Sequence, residues 1–282
     1  MRGPRPGETA SEQPMLPRSA ILTAAMVVLP GGCASRLGER LTLPERFTIA
    51  RPQLMVHSDV PLPEHHRLLE DLGAQRADLA CRLGLPAGDE PIHVYLFETP
   101  QRFEDFMRLH HPEFPRRRAF FVETDTRLTV YAQWGDRVGE DLRHEATHGY
   151  LHSVVRNLPL WLDEGLAEYY EAPPTRRGAN RQHIDRLGEL LRRDAWQPDL
   201  RQLERIGPPR DMTQDEYAES WAWVHFLLES RPEHAEVLRG YLSDLRREAA
   251  PVPLSVRLEH SLGRPQAAAI EHVRAVAASY GR

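Results

Sequence analysis

Hydrophobic and polar positions change their rhythm near Gly135. Before it, short alternating runs dominate. Residues Phe47 to Asp59 read as one or two strands, and "IHVYLFE" (Ile92 to Glu98) alternates with the period of two that sends successive side chains to opposite sheet faces. "AFFVE" and "RLTVYAQW" flank Thr124-Asp125-Thr126, which predicts a hairpin ending near Trp134. Two helices interrupt these strands. Leu68, Leu72, Leu79 and Leu83 recur at helical spacing until Gly84 and Pro86 stop the pattern. Thr99-Pro100 opens the second, with Thr99 as N-cap and Pro100 in the first turn. Cys81 falls within the first helix and is expected to be a small buried residue.

After Gly135 the spacing is helical almost throughout. Helices are expected over 139–156, 160–171, 181–194, 214–230, 232–247 and 265–279, with Asn157, Pro159 and Pro173-Pro174 as early breaks. The prediction is an α+β chain: a small mixed-sheet lobe over 47–135, then a mostly helical lobe over 136–282.

Composition narrows the options. A chain of 282 residues, 41% hydrophobic, can build a core, and 27% charged residues is ordinary for a soluble protein. All 36 basic residues are arginine, and the net charge of −5 offers no global field for nucleic acid. The run Arg116-Arg117-Arg118 lacks interleaved aromatics and reads as a solvated face.

Residues 1–33 read as a targeting segment. Arg18 precedes the apolar run Ala20 to Leu29, which is too short to span a bilayer, and the run ends in "PGGCAS". Small residues before Cys33 resemble the lipobox of bacterial lipoproteins, whose cysteine is acylated. Pro30 stands where an aliphatic residue is usual, so cleavage nearby or a retained anchor stay open as alternatives, as does a start at Met15. The expectation is an envelope protein, periplasmic, tethered by residues 34–46 and touching membrane only through a lipid on Cys33. With Cys33 acylated, Cys81 is alone and no disulfide framework exists.

The chemistry concentrates in "LRHEATHGYLH" (Leu142 to His152). Residues four apart lie one turn apart on a helix, so His144 and His148 can face one ion, and Glu145 can lean over its open side. Hydrolytic zinc needs a third protein ligand and an open position. A second histidine-based pattern, HExxHxxGxxH, fails because Leu151 and Val154 occupy the required positions. His152 is one further turn along the same helix and reads as a structural or cleft-wall residue. "LPLWLDEGLAEYYE" (Leu158 to Glu171) returns the chain in a second helix that carries Glu164 and Glu168.

Taken together, "HEATH" and "WLDEGLAEYY" resemble the gluzincin pattern of thermolysin-type and aminopeptidase-N-type zinc peptidases, and more closely still the bacterial peptidase-MA-like families. The likeness is specific over residues 142–171. It implies a zincin-like fold with the active-site helix at the junction of the lobes, and one Zn²⁺ per chain on His144, His148 and Glu164. Glu145 then resembles the general base that takes a proton from the attacking water. Glu168 resembles the carboxylate that steadies a ligand imidazole, and Asp163 stands where asparagine is frequent. An oxyanion donor is expected from the helical lobe. Tyr217 is the candidate, against a reading as core in the stripe Tyr217, Trp221, Val224 and Leu228; Tyr150, Tyr169 and His225 rank below it.

The resemblance thus implies zinc-dependent, endopeptidase-like hydrolysis of peptide or protein in the envelope. The Gly-x-Met-Glu-Asn motif of aminopeptidases is absent. Two alternatives share the residues: a zinc-stabilised binding module without turnover, and a hydrolase of cell-wall peptide amides.

Overall fold

The computed structural model describes residues 41–114, 116–207, 212–247 and 250–280. The targeting segment, Cys33 and the tether up to residue 40 lie outside the described residues. No described helix is long and apolar enough to cross a membrane.

The sheet lobe starts with strands β1 (Phe47–Arg51) and β2 (Leu54–Ser58), followed by helix α1 (Arg67–Leu83). Strand β3 (Ile92–Phe97) leads into α2 (Pro100–His110), then the hairpin β4 (Ala119–Thr124) and β5 (Arg127–Gln133). The strand order is β1-β2-β3-β5-β4. β2, β3 and β5 run parallel, while β1 and β4 pair antiparallel at the two edges, so the sheet is mixed as expected. The hairpin register closes on Thr124 and Arg127. Thr99 caps α2 through the Arg102 amide, with Pro100 in the first turn.

The helical lobe begins with α3 (Val138–His152) and α4 (Leu160–Glu171). It continues through α5 (Arg181–Arg192), the short α6 (Leu200–Leu203), α7 (Gln214–Glu229), α8 (Pro232–Arg247), α9 (Leu254–Leu262) and α10 (Pro265–Tyr280). α6 and α9 are additions to the predicted set. α3 stops at His152 rather than reaching 156. There the Ser153 hydroxyl donates to the Tyr150 carbonyl and accepts from Gln53, a side-chain bond that competes with further helix, and Val155 turns into the core.

One hydrophobic core joins both lobes, running from Leu54 and Val94 through Leu142 and Trp161 to Trp221 and Val273. A second, separate cluster of Tyr95, Phe97, Phe103, Phe106, Met107 and Phe120 forms around α2 and the β4 end of the sheet. Two glycines set the close approaches that shape the centre. A Cβ on Gly149 would lie 2.9 Å from the Ile92 side chain, so α3 can press onto β3 only without one. A Cβ on Gly165 would lie 2.7 Å from the Ser220 carbonyl oxygen, so α4 and α7 meet at backbone distance. Each glycine follows a candidate ligand, His148 or Glu164, and so fixes that ligand's height in the fold. A buried pin adds to this: Gln75 on α1 donates to the Arg143 carbonyl and the Thr147 hydroxyl of α3.

One expectation is corrected here. Cys81 is exposed, not buried. The buried face of α1 is carried by Leu68, Leu72, Leu79 and Leu83. At 100° per residue, Cys81 lies about 200° around the helix from Leu79.

Candidate metal centre

α3 and α4 pack side by side, and their facing turns bring three predicted residues to one point. His144 Nε2 stands 3.7 Å from Glu164 Oε2, and His148 Nε2 stands 3.9 Å from the same oxygen. The two imidazoles meet edge to face, with centroids 5.1 Å apart. Ligands bound at 2.0–2.2 Å around a tetrahedral ion lie about 3.4 Å from one another, so a contraction of a few tenths of an ångström would complete the shell. Glu164 Oε2 is buried with no hydrogen-bond partner. An orphaned carboxylate oxygen facing two ring nitrogens is costly unless a cation takes it. The donor set and its geometry therefore fit a divalent ion.

Two other groups of side chains come close enough to hold a metal: His148, His152 and Asp163, and His144, Glu168 and Glu171. The first is already satisfied internally. Asp163 Oδ1 accepts from His148 Nδ1 at 2.8 Å, and Asp163 Oδ2 pairs with His152 Nε2 at 3.0 Å. Glu123 on the edge strand β4 holds the other nitrogen of His152 at 2.5 Å. In the second, Glu168 is engaged elsewhere, by His183 Nε2 at 2.8 Å and Asn180 Nδ2 at 3.1 Å.

These contacts revise the supporting roles. Asp163, not Glu168, holds the second nitrogen of the candidate ligand His148. Glu171 Oε2 is the carboxylate nearest His144 Nδ1, at 3.3 Å but off the line a ring N–H requires. Glu168 was expected on a ligand and instead bridges α4 to α5, because His183 at the buried face of α5 claims its oxygen. Glu171 and His183 carry no local sign of these roles; their partners come from other helices.

Electrostatics follow from burial among opposite charges. Burial alone would push His144 and His148 toward the neutral form. For His144, Glu164 and Glu171 overturn this, and for His148, Asp163 and Glu164 do, so both are raised above the ordinary histidine value. His152 is raised to about 9 against burial by Asp163 and Glu123. Burial would raise Asp163, but His148 and His152 hold its carboxyl well below the usual range. Burial would raise Glu164, but the neighbouring His144 and His148 bring it lower. A metal entering the site must displace protons from the histidines.

Glu145 behaves differently. Burial raises its pKa, and neighbouring Glu164 adds to the rise against the opposing charges of His144 and His148. The Phe121 backbone of β4 opposes that rise slightly. With His144 it lines an open cleft of 510 Å³ between the lobes, whose walls include Arg117, Gln133, Glu140 and Gln182.

Tyr217 sits half-buried near the start of α7, which a reciprocal Thr213–Glu216 capping box fixes. Trp221 and Val224 of the same stripe are fully buried, but Tyr217 lies at its open end. Burial and the charge of Glu164 raise its pKa, opposed by a hydrogen bond from Arg117. Arg117 is thus not simply part of a solvated face. It is exposed overall, yet its charge is felt by Tyr217, Glu164 and Glu145. The other candidate donors are committed elsewhere: Tyr150 to the Leu72 carbonyl, Tyr169 to Glu229, and His225 to His272.

A family model described as "Protein of unknown function (DUF1570)" matches residues 140–248. That span runs from the first turn of α3 to the end of α8 and holds His144, Glu145, His148, Asp163, Glu164 and Tyr217, while the sheet lies before it. A comparison with curated proteins finds no match.

Proposed function

We propose that this protein is a zinc-dependent hydrolase that cleaves peptide bonds within peptide or protein chains of the cell envelope. The observation that carries the reading is the orphaned Glu164 oxygen facing His144 and His148, with Glu145 beside them in an open cleft. A zinc ion held by these three residues supplies Lewis acidity at the scissile carbonyl and brings the pKa of a water near 7.

The chain's own groups then divide the work. Glu145, its affinity for a proton raised by burial, takes a proton from the attacking water and delivers it to the leaving nitrogen. The Tyr217 O–H, with the Arg117 charge beside it, donates to the oxygen that gains charge in the transition state. Asp163 fixes His148 with Nδ1 turned away from the site and Nε2 turned toward Glu164. A purely structural metal site would have no use for a half-buried, unligated carboxylate opening onto a cleft. Envelope placement rests on the apolar run before Cys33.

The test compares wild type with Glu145→Gln on a panel of unfolded proteins and peptides, with metal content measured in both. Glu145 is not a ligand, so metal content should be unchanged. Turnover should fall by at least about 10²–10⁴-fold, because an amide cannot accept the proton. Equal turnover on a substrate cleaved by the purified wild type would refute the mechanism.

A further inference from the structure

A separate cavity of 130 Å³ lies where α3 begins, α4 ends and α5 begins. The local sequence builds it. Pro173 and Pro174 stop α4, and the left-handed pair Arg177 and Gly178 turns the chain back into α5. A Cβ on Gly178 would lie 2.0 Å from the Tyr169 ring, so the turn can press this closely onto α4 only with glycine there. Four arginines line the cavity: Arg137 and Arg143 at the start of α3, Arg176 in the turn and Arg181 at the start of α5.

Two of the four are balanced by carboxylates. Glu140, on the cavity wall, pairs with Arg137, and Asp185 takes Arg181 at 2.9 Å. Glu171, the other carboxylate on the wall, has its Oε2 3.3 Å from His144 Nδ1. Arg143 and Arg176 are the other two. Arg143 donates through Nε to the Glu171 carbonyl at 2.9 Å, and its two terminal nitrogens have no hydrogen-bond or ion-pair partner among the described residues. The Arg176 side chain has no such partner there either. The charge of Arg176 acts against that of Arg143, while Asp71 and Glu171 attract Arg143 only from beyond ion-pair distance.

Two like charges on one small cavity are unfavourable until an anion sits between them. A guanidinium offers a planar fork of donors that matches the oxygens of a phosphate, and two unpaired positive charges suit a dianion better than a single carboxylate. The cavity far exceeds the about 10–15 Å³ that one water needs, so a tetrahedral oxyanion has room. Arg137, Glu140, Glu171 and Gln182 border both this cavity and the cleft, whereas Arg143 and Arg176 do not border the cleft. The unpaired charges therefore belong to this cavity and not to the cleft of the metal centre.

We propose that this cavity binds one phosphate group, clasped between Arg143 and Arg176. The ligand class is inorganic phosphate or a phosphomonoester whose organic part projects past the exposed Arg176 into solvent. The assignment does not rest on the hydrolase reading.

The test titrates the full chain with inorganic phosphate and, separately, with glycerol 3-phosphate, at low ionic strength by calorimetry. Wild type should bind one phosphate per chain saturably. Arg176→Gln should weaken that binding at least about tenfold, the scale of one lost charge-assisted hydrogen bond. Arg176 is exposed and its side chain holds no partner, so this variant should fold as wild type does. Arg181→Gln, which removes an arginine already held by Asp185, should cost clearly less. Glycerol 3-phosphate binding as tightly as phosphate assigns the site to a monoester, and binding of phosphate alone assigns it to the free anion. Absence of saturable phosphate binding in wild type overturns the site. Equal losses in Arg176→Gln and Arg181→Gln overturn it too, because they would show a diffuse positive field. Binding kept in Arg176→Gln but lost in Glu164→Ala would place the phosphate on an ion at the metal centre, which also overturns it.

Discussion

Two histidine clusters in this molecule each include a buried ring and differ in the groups that face them. His144, His148 and His152 line one side of α3. His225 and His272 meet between α7 and α10, with His225 Nδ1 and His272 Nε2 2.8 Å apart. Carboxylates face each ring of the first cluster: Glu164 and Glu171 at His144, Asp163 and Glu164 at His148, Asp163 and Glu123 at His152. The second cluster is packed against Trp221, Phe226 and Tyr169, and each ring's hydrogen-bond partner is the other ring. Burial therefore wins there and pushes both His225 and His272 down to about 4, while carboxylates win on α3 and raise His152 to about 9. What separates a metal-capable histidine from a packing histidine is the set of carboxylates aimed at it, not its spacing or its burial.

The same contrast applies to tyrosines and gives the largest predicted effect of this comparison. Tyr217 is proposed to act at the metal centre, whereas Tyr169 donates to Glu229 in an ion-pair knot with Arg82 and Arg177. Tyr217→Phe should lower kcat by about 10²–10³-fold, or 2.7–4 kcal/mol, the cost of one oxyanion donor, with little change in unfolding temperature. Tyr169→Phe should do the reverse, leaving turnover near wild type and lowering stability. Near-wild-type kcat in Tyr217→Phe would return that residue to the core.

A smaller effect separates the two clusters directly. Asparagine at 163 offers one oxygen where two imidazoles need acceptors. Asp163→Asn should therefore weaken zinc affinity by about 10–100-fold in chelator competition. His272→Asn should leave zinc affinity unchanged. Equal losses in both would mean that the variants act through folding.

Smallest, and opposite in sign, are the pH effects on the metal-free protein. His272 is depressed in the folded state, so its contribution to stability is present above 6.5 and is lost as pH falls from 6.5 toward about 4. His152 is elevated, so its contribution is full below 6.5 and is lost as pH rises through about 9. Urea unfolding across pH 4–9 should show His272→Gln flattening the acid limb and His152→Gln flattening the alkaline limb, each by on the order of 1–3 kcal/mol. The same limb moving in both variants would contradict the assignment.

Much of this was legible along the chain. α3 and α4 announce themselves through the i, i+4 histidines, Pro159 and the Pro173-Pro174 stop, and the hairpin turn falls at Asp125-Thr126. Of the three residues that meet at the centre, His144 and His148 were legible from their spacing, and Glu164 only through the gluzincin-like pattern. What escaped depends on long-range return of the chain. Arg117 reads as one of three solvated arginines until α7 brings Tyr217 to it from 100 positions away. Glu168 looks like the carboxylate behind a ligand because nothing local shows that His183 will take it, nor that Glu171 comes closer to His144. Cys81 was misplaced by treating a helical stretch as uniformly buried, when the leucine stripe beside it already marked the opposite face.

The central claim is that His144, His148 and Glu164 together hold one divalent ion. Zinc K-edge absorption of the zinc-loaded full chain, with metal content measured in parallel for Glu164→Ala and His152→Ala, tests it most directly. The account predicts one zinc per chain with two imidazole nitrogens and a carboxylate oxygen at about 2.0–2.2 Å, lost in Glu164→Ala and weakened but retained in His152→Ala. Full occupancy with unchanged affinity in Glu164→Ala, or loss confined to His152→Ala, would contradict it and place the ion between His148, His152 and Asp163 instead.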